Sequence, residues 1–133
     1  MLSHGIKRRI IFVGSWVGHA PQTHNPAYCT SKAGLRMLMR YMAKDLAPDG
    51  ILVNEVTPGN VDAGLCGQIF ERIPSERDQS ARVTSVGRNS AATDITFQVG
   101  HLCDPRNTHM TGTALVVDGG LSLLSYPKAT EWK

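Results

Sequence analysis

Three short apolar runs alternate with two longer helical patterns, and this alternation constrains the fold more than any other feature of the chain. The runs occupy residues 8–14, 51–57 and 113–118, are rich in β-branched residues, and end at glycine or proline. Runs of this kind are typical of strands buried inside a parallel sheet. A β-α-β-α-β order implies parallel strands joined by right-handed crossovers. The sequence therefore predicts an α/β fold.

The first helix is predicted to begin at Asn25-Pro26, because Asn is a preferred N-cap and Pro a preferred first helical residue. Two further apolar residues, Met37 and Tyr41, lie away from its main stripe. Two buried faces are therefore expected on this helix, one that packs within the chain and one that contacts a partner. The main apolar stripe comprises Leu35, Leu38, Met39, Met42 and Leu46.

Residues 60–88 have weaker periodicity. A short helix is predicted at about 65–72, followed by polar and charged residues. A second amphipathic helix is predicted from about 91 to 103, with Asn89 or Ser90 as its cap. Its apolar face consists of Ile95, Val99 and Leu102, and Asp104-Pro105 ends it.

Tyr28 and Lys32 lie four residues apart near the start of the first helix, so they share a face. A cation beside a phenol favours its phenolate form and can bring this weak acid into acid–base chemistry near neutral pH. Such a pair alone is more often a surface aromatic beside a solvated lysine. Ser15 strengthens the catalytic interpretation, because it follows the first strand, where open α/β sheets bind ligands.

Composition favours a single globular domain. The chain has 133 residues, of which 41% are hydrophobic and 19% charged. Its three cysteines form no C-x-x-C pair and no zinc pattern, which suits a reducing compartment. No apolar run approaches 18 residues, and the N-terminus has no apolar signal stretch, so we expect no membrane span and a cytoplasmic location.

The net charge of +3 gives little support for nucleic-acid binding. The one dense basic run, residues 7–9, directly precedes the first strand and is better explained as polar chain at the edge of the sheet. Other basic residues are scattered, without the interleaved aromatics that stack on bases. We therefore expect no nucleic-acid partner.

Taken in order, these motifs resemble the short-chain dehydrogenase/reductase family. The resemblance covers nearly the whole chain and rests on an ordered set of motifs rather than on any one of them. The set comprises the strand ending in Ser15, the Tyr28-x-x-x-Lys32 helix, residues 45–54, Pro58-Gly59, Gly87-Arg88, and residues 110–112 leading into 116–120.

The resemblance implies a Rossmann-like, doubly wound parallel sheet and hydride transfer between NAD or NADP and a small alcohol or ketone. Tyr28 would exchange a proton with the substrate oxygen. Lys32 would favour the phenolate and bind the nicotinamide ribose, which Tyr28 also approaches. Ser15 would hydrogen-bond the same substrate oxygen.

Further positions of the family pattern concern the cofactor and the substrate. Pro58 and Gly59 would let the backbone approach the nicotinamide, and Val61 would bind its carboxamide through the backbone. The threonine that family members often have two residues later is here Ala63. Residues 60–88 would cover the substrate. The weaker candidates for the substrate pocket are Ser15, Trp16, His19 and Asn60, with His24 as a further loop histidine.

The family's glycine-rich phosphate-binding turn does not occur between Met1 and Ser15. The upstream Asn-Asn-Ala-Gly segment and the asparagine that completes the catalytic set are missing too. Residues 1–133 are therefore expected to be the C-terminal part of one Rossmann-like domain, lacking the N-terminal βαβ units and inactive alone. The alternative is a non-catalytic fragment that acts only in subunit association. For the complete protein, the resemblance implies a homodimer or homotetramer.

Overall fold

The computed structural model describes residues 8–123. Three parallel strands form one sheet in the order β1-β2-β3. The strands are β1 (Arg8–Val13), β2 (Ile51–Pro58) and β3 (Ala114–Val117). All three predicted strands are thereby confirmed to within one residue at each end. The predicted basic run begins at Lys7, which lies outside the described residues.

Residues 8–123 contain four α-helices: α1 (Pro26–Leu46), α2 (Gly64–Arg72), α3 (Pro74–Val83) and α4 (Ala92–Cys103). Short 3-10 turns occur at Trp16–Gly18 and Ala47–Asp49. The helices predicted for α1, α2 and α4 are confirmed. The sequence did not predict α3, which contains no buried residue and therefore has no apolar periodicity to detect.

The helices α1 and α4 pack on opposite faces of the sheet. Met39 and Ala43 of α1 contact Val53 of β2, together with Ile10 and Phe12. On the other face, Ile95 and Leu102 of α4 contact Val56, together with Ile11 and Leu115. The alternation along each strand separates these two layers of apolar contacts.

This arrangement corrects one prediction about topology. The three strands are parallel and advance across the sheet in one direction, while their connecting helices lie on opposite faces. Two right-handed crossovers would place both helices on the same face. The prediction that both crossovers are right-handed is therefore wrong for one of them.

Two details of the helix predictions are also wrong. Leu38 is 48% exposed and belongs with Met37 and Tyr41 on the outer side of α1, whereas Arg36 is buried in the stripe. Neither Asn89 nor Ser90 caps α4. The N-cap is Ala91, whose backbone N–H donates to the Asp94 carboxylate at 2.8 Å.

Asn25 does occupy the N-cap position of α1, although its side chain makes no capping hydrogen bond. Pro26 is the first helical residue, as predicted, and its missing N–H costs nothing there. The C-terminal end of α1 runs into the 3-10 turn, which Gly50 closes with a left-handed φ of 70°.

Candidate active site

A cleft of about 510 Å³ opens at the carboxyl ends of β1 and β2. One wall comes from α2, through Leu65, Cys66 and Ile69. The structure brings together seven of the ten residues that the sequence singled out for catalysis or binding. These are Ser15, Trp16, Tyr28, Pro58, Gly59, Asn60 and Val61.

Ser15 is held by the end of β1. The Gly14 N–H donates to the Val56 carbonyl at 2.8 Å, so the sheet ladder extends one residue beyond the strand. Ser15 itself is buried and extended, and its carbonyl accepts the Gly18 N–H at 3.0 Å in the following 3-10 turn. Backbone bonds on both sides therefore fix the position of the hydroxyl-bearing residue.

Tyr28 and Lys32 lie side by side on α1, as their spacing predicted. The Lys32 ammonium is 5.6 Å from the centroid of the Tyr28 ring, within the range of a cation–π interaction. Its Nζ also donates to the Val13 carbonyl at 3.4 Å. Tyr28 is 41% exposed and lines the cleft, so its ring is accessible to a bound substrate. Lys32 lies behind it, toward β1.

Gly59 is required by a close approach between the ends of β2 and β3. A methyl group at Gly59 would lie 2.8 Å from the Asp118 Cα. Asp118 is buried and accepts the backbone N–H groups of Gly120 and Ser122 at 2.8 and 2.9 Å. Burial acts to raise the pKa of Asp118, but hydrogen bonds from Ser122 and Gly120 outweigh it, so the pKa lies below the ordinary value. Asp118 thus caps the turn that follows β3.

His19 contacts Ser122, the residue whose backbone N–H donates to Asp118. Its Nε2 is 3.0 Å from Ser122 Oγ, so it links the turn after Ser15 to the loop after β3. His19 does not line the cleft.

The loop that follows β2 is fastened on two sides. Asp62 N–H donates to the Ser90 carbonyl at 2.8 Å, and Ser90 N–H donates to the Asn60 carbonyl at 2.9 Å. The Asn60 amide also donates to Ser80 Oγ of α3 at 2.8 Å, and Ser80 donates to Asn89 Oδ1 at 2.6 Å. Arg77 of α3 forms an ion pair with Asp62. These bonds hold α3 against the loop at the cleft.

Sequence reasoning missed three polar residues buried behind the cleft. Arg36 of α1 binds Glu55 and Thr57 of β2, and all three are inaccessible or nearly so. One signal was available: a glutamate in the middle of an otherwise apolar strand is unusual unless a cation pairs with it.

The parallel sheet, with a serine after one strand and a Tyr-x-x-x-Lys helix beside it, defines a class of α/β oxidoreductase. The chain belongs to the short-chain dehydrogenase/reductase family. The profile of the family described as enoyl-(acyl carrier protein) reductase matches residues 1–122.

Individual relatives support the same assignment. An uncharacterised oxidoreductase of Schizosaccharomyces pombe is 36% identical over 91% of this chain and 46% of its own length. A 3beta-hydroxysteroid dehydrogenase of Eggerthella lenta is 34% identical over 80% of this chain and 40% of its own.

Among solved structures, an NADPH-bound short-chain oxidoreductase of Pseudomonas aeruginosa superposes with a TM-score of 0.79. It is 30% identical, and the match covers 88% of this chain and 47% of that one. The chain therefore spans about half the length of the curated relatives it matches. Within residues 8–123, no helix has the length and apolarity needed to cross a bilayer.

Proposed function

We propose that this chain supplies the catalytic half of an NAD(P)-dependent oxidoreductase that interconverts an alcohol and a ketone. The observation that carries the proposal is the cleft itself. It joins Ser15, Tyr28 and the loop from Pro58 to Val61 at the edge of the sheet where α/β folds bind ligands.

In this proposal, Tyr28 is the acid in the reducing direction, and its phenolic O–H gives a proton to the carbonyl oxygen of the substrate. Ser15 donates a hydrogen bond to the same oxygen and fixes its position. The Lys32 ammonium, beside the Tyr28 ring, stabilises the negative charge left on the phenolate. A nicotinamide held at the cleft would supply the hydride.

The residues at the cleft fit a nicotinamide. The Val61 N–H donates to no acceptor within residues 8–123, while the Val61 carbonyl accepts from Ala63. This N–H is thus available to a carboxamide oxygen, in agreement with the role that the family pattern gives Val61. Pro58 and Gly59 line the cleft beside it, and Lys32 is close enough to Tyr28 to share a ribose hydroxyl.

The substrate is proposed to be a small alcohol or ketone, held between Trp16 and the apolar side chains of α2. Residues 60–88, which contain α2 and α3, are proposed to cover this substrate, as the family resemblance implies. The matched family and the Eggerthella lenta relative carry the names of different substrate classes, so similarity alone selects none of them. We propose a cytoplasmic location for the protein, in keeping with three free cysteines.

Replacing the proton donor tests this proposal. In the longest polypeptide that carries this chain, Tyr28→Phe should lower kcat by at least about 100-fold and leave cofactor binding nearly unchanged, because only the transferable proton is lost. Lys32→Ala should impair both. Steady-state kinetics and cofactor titration measure the two effects.

Tyr41→Phe is the matched control, since Tyr41 lies on the same helix, is 64% exposed and does not line the cleft. It should behave as wild type. If Tyr28→Phe keeps most of the wild-type kcat, the acid is another group.

The second candidate is a non-catalytic module that takes part only in subunit association. It is favoured by the length of the match, which covers less than half of each relative named above. Residues 1–133 expressed alone are expected to show no saturable oxidation of NADH or NADPH, because most of the dinucleotide's binding energy comes from a phosphate-binding turn. Saturable turnover by the purified chain, with a linear dependence on its concentration, would contradict this expectation.

A further inference from the structure

Two opposite charges are buried on the α1 face of the sheet, and the proposed mechanism gives them no role. Glu55 is fully buried in β2, and Arg36 is 9% exposed on α1. The Arg36 Nε and Nη2 donate to the two carboxylate oxygens of Glu55 at 3.1 and 3.3 Å. Nη2 also donates to Thr57 Oγ1 at 3.0 Å, and that hydroxyl donates to Glu55 Oε1 at 3.2 Å. We call these three residues the buried triad.

Stability alone is a weak explanation for the buried triad. Removing two charges from water costs several kcal/mol for each ion, and mutual attraction only partly offsets that cost. Apolar residues of similar size often give equal or greater stability. What the pair does supply is geometry, because a two-point contact between guanidinium and carboxylate has a fixed direction.

On the side of β2, the buried triad contacts the backbone next to Ser15. The Glu55 carboxylate lies against Gly14, the residue before Ser15. A methyl group at Gly14 would lie 2.6 Å from the Glu55 Cδ and would overlap the carboxylate. Gly14 has no left-handed φ, so the need for glycine here is purely one of space. Glu55 therefore occupies the space beneath the backbone that presents Ser15.

On the side of α1, Arg36 of the buried triad lies in line with Tyr28 and Lys32. Arg36 is one turn beyond Lys32 and two turns beyond Tyr28, along the same face of α1. Lys32 Nζ donates to the Val13 carbonyl, while Arg36 reaches Gly14 through Glu55. Two successive turns of α1 thus hold residues 13–15, one directly and one through the buried triad.

We infer that Arg36, Glu55 and Thr57 are positioning residues, which fix residues 13–15 against α1 and thereby set the places of the Ser15 hydroxyl and the Lys32 ammonium relative to Tyr28. The consequence for catalysis rests on the proposed function. The consequence for the backbone at Ser15 does not, and the two are measured separately.

The test converts the buried triad to apolar residues of similar size, as Arg36→Met/Glu55→Met/Thr57→Val, in the longest polypeptide that carries this chain. We expect the urea midpoint to equal or exceed that of wild type. Amide hydrogen exchange of residues 14–18 should rise at least 10-fold, with exchange across α4 unchanged. In the same variant kcat should fall at least 10-fold, with KM for the cofactor nearly unchanged.

Leu102→Ala is the matched control, because Leu102 is fully buried on the opposite face of the sheet. It should lower the urea midpoint through a cavity and leave kcat unchanged under folding conditions. If the buried triad has only a structural role, a triple variant with wild-type stability should keep wild-type exchange at residues 14–18 and wild-type kcat. This result would overturn the inference.

Gly14→Ala tests the contact between Gly14 and the Glu55 carboxylate by changing Gly14 instead of the buried triad. It replaces the triple variant in the test if that variant does not fold. It displaces the Glu55 carboxylate without removing a charge, so exchange at residues 14–18 should again rise at least 10-fold. Unchanged exchange in Gly14→Ala overturns the inference as well. If wild type turns over no ketone with either cofactor, the proposed function fails, whereas the exchange measurements still decide whether the buried triad positions Ser15.

Discussion

At the scale of single residues, Asp118 joins the ends of two strands at the edge of the cleft. It accepts two backbone N–H groups and lies directly against Gly59. Its pKa is lowered in the folded chain, because the hydrogen bonds from Ser122 and Gly120 exceed the opposing effect of burial. The ionised form is therefore the one that stabilises the fold.

Asp118→Asn should lower the free energy of unfolding by about 1–2 kcal/mol at pH 7, since it removes the charge and one of two acceptors. A lowered folded pKa means that this stabilisation is fully present above the unfolded value, about 3.9. It is lost as the pH falls through the folded pKa below that value. Urea denaturation at pH 7 and below pH 4 measures the difference between wild type and variant at each pH.

Asp78→Asn is the control for that measurement, because Asp78 is exposed on α3 and makes no side-chain hydrogen bond within residues 8–123. Its effect should stay near zero at both pH values. A wild-type–Asp118→Asn difference that grows toward low pH would contradict the assignment.

Single residues also show where sequence reasoning ends. Ser15, Tyr28 and the loop at Pro58 were predictable because each follows a strand end or a helix cap that local sequence specifies. Arg36 and Glu55 were not paired in advance, since a helix and the following strand meet in a register that only packing determines. A solvent-exposed arginine and a buried one have the same local sequence signals.

At the scale of secondary-structure elements, α3 is the least anchored of the four helices described within residues 8–123. It buries no residue, so polar bonds to the loop after β2 carry its attachment. Ser80 is central among them, because it accepts from Asn60 and donates to Asn89. The same absence of buried residues explains why periodicity predicted α2 and did not predict α3.

Ser80→Ala should therefore loosen the attachment of α3 to Asn60 and Asn89. Two amide side chains lose a partner, at a cost of about 1–2 kcal/mol, and amide exchange across residues 74–83 should rise roughly 5- to 30-fold. Hydrogen-exchange mass spectrometry measures this directly, with α4 as an internal reference.

Ser75→Ala is the matched control, since Ser75 is exposed on the same helix and its side chain makes no hydrogen bond within the described residues. If both variants exchange at the wild-type rate, α3 is held by something other than the Ser80 bonds.

At the scale of the whole molecule, the parallel direction of the strands followed from the sequence, whereas the hand of one crossover did not. Right-handed crossovers are the rule because of strand twist, and a pattern of strands and helices carries no sign of an exception. The faces became clear only from the contacts. Ile10 and Val53 meet α1, while Ile11 and Val56 meet α4.

The outer side of α1 bears on assembly. Met37, Leu38 and Tyr41 are 62%, 48% and 64% exposed and lie within two turns of one another. An exposed helix face is normally polar, so this surface fits a second copy of the same helix. We propose a two-fold dimer through α1, or a dimer of dimers, for a polypeptide that contains the whole domain. For residues 1–133 alone, we expect heterogeneous self-association, because an unpaired sheet edge offers a further contact.

Lysine substitutions on the outer side of α1 test whether the dimer forms through this surface. Met37→Lys/Tyr41→Lys should convert the dimer to a monomer at micromolar concentration, because each lysine would be desolvated without a partner in the interface. Val83→Lys is the control, since Val83 is 60% exposed at the end of α3, away from α1. Light scattering coupled to size exclusion gives the mass of each. If the wild-type protein elutes as a clean monomer, the outer side of α1 forms no dimer interface. If the double variant stays dimeric, another surface of the protein forms the interface, because two lysines on α1 have not disrupted it.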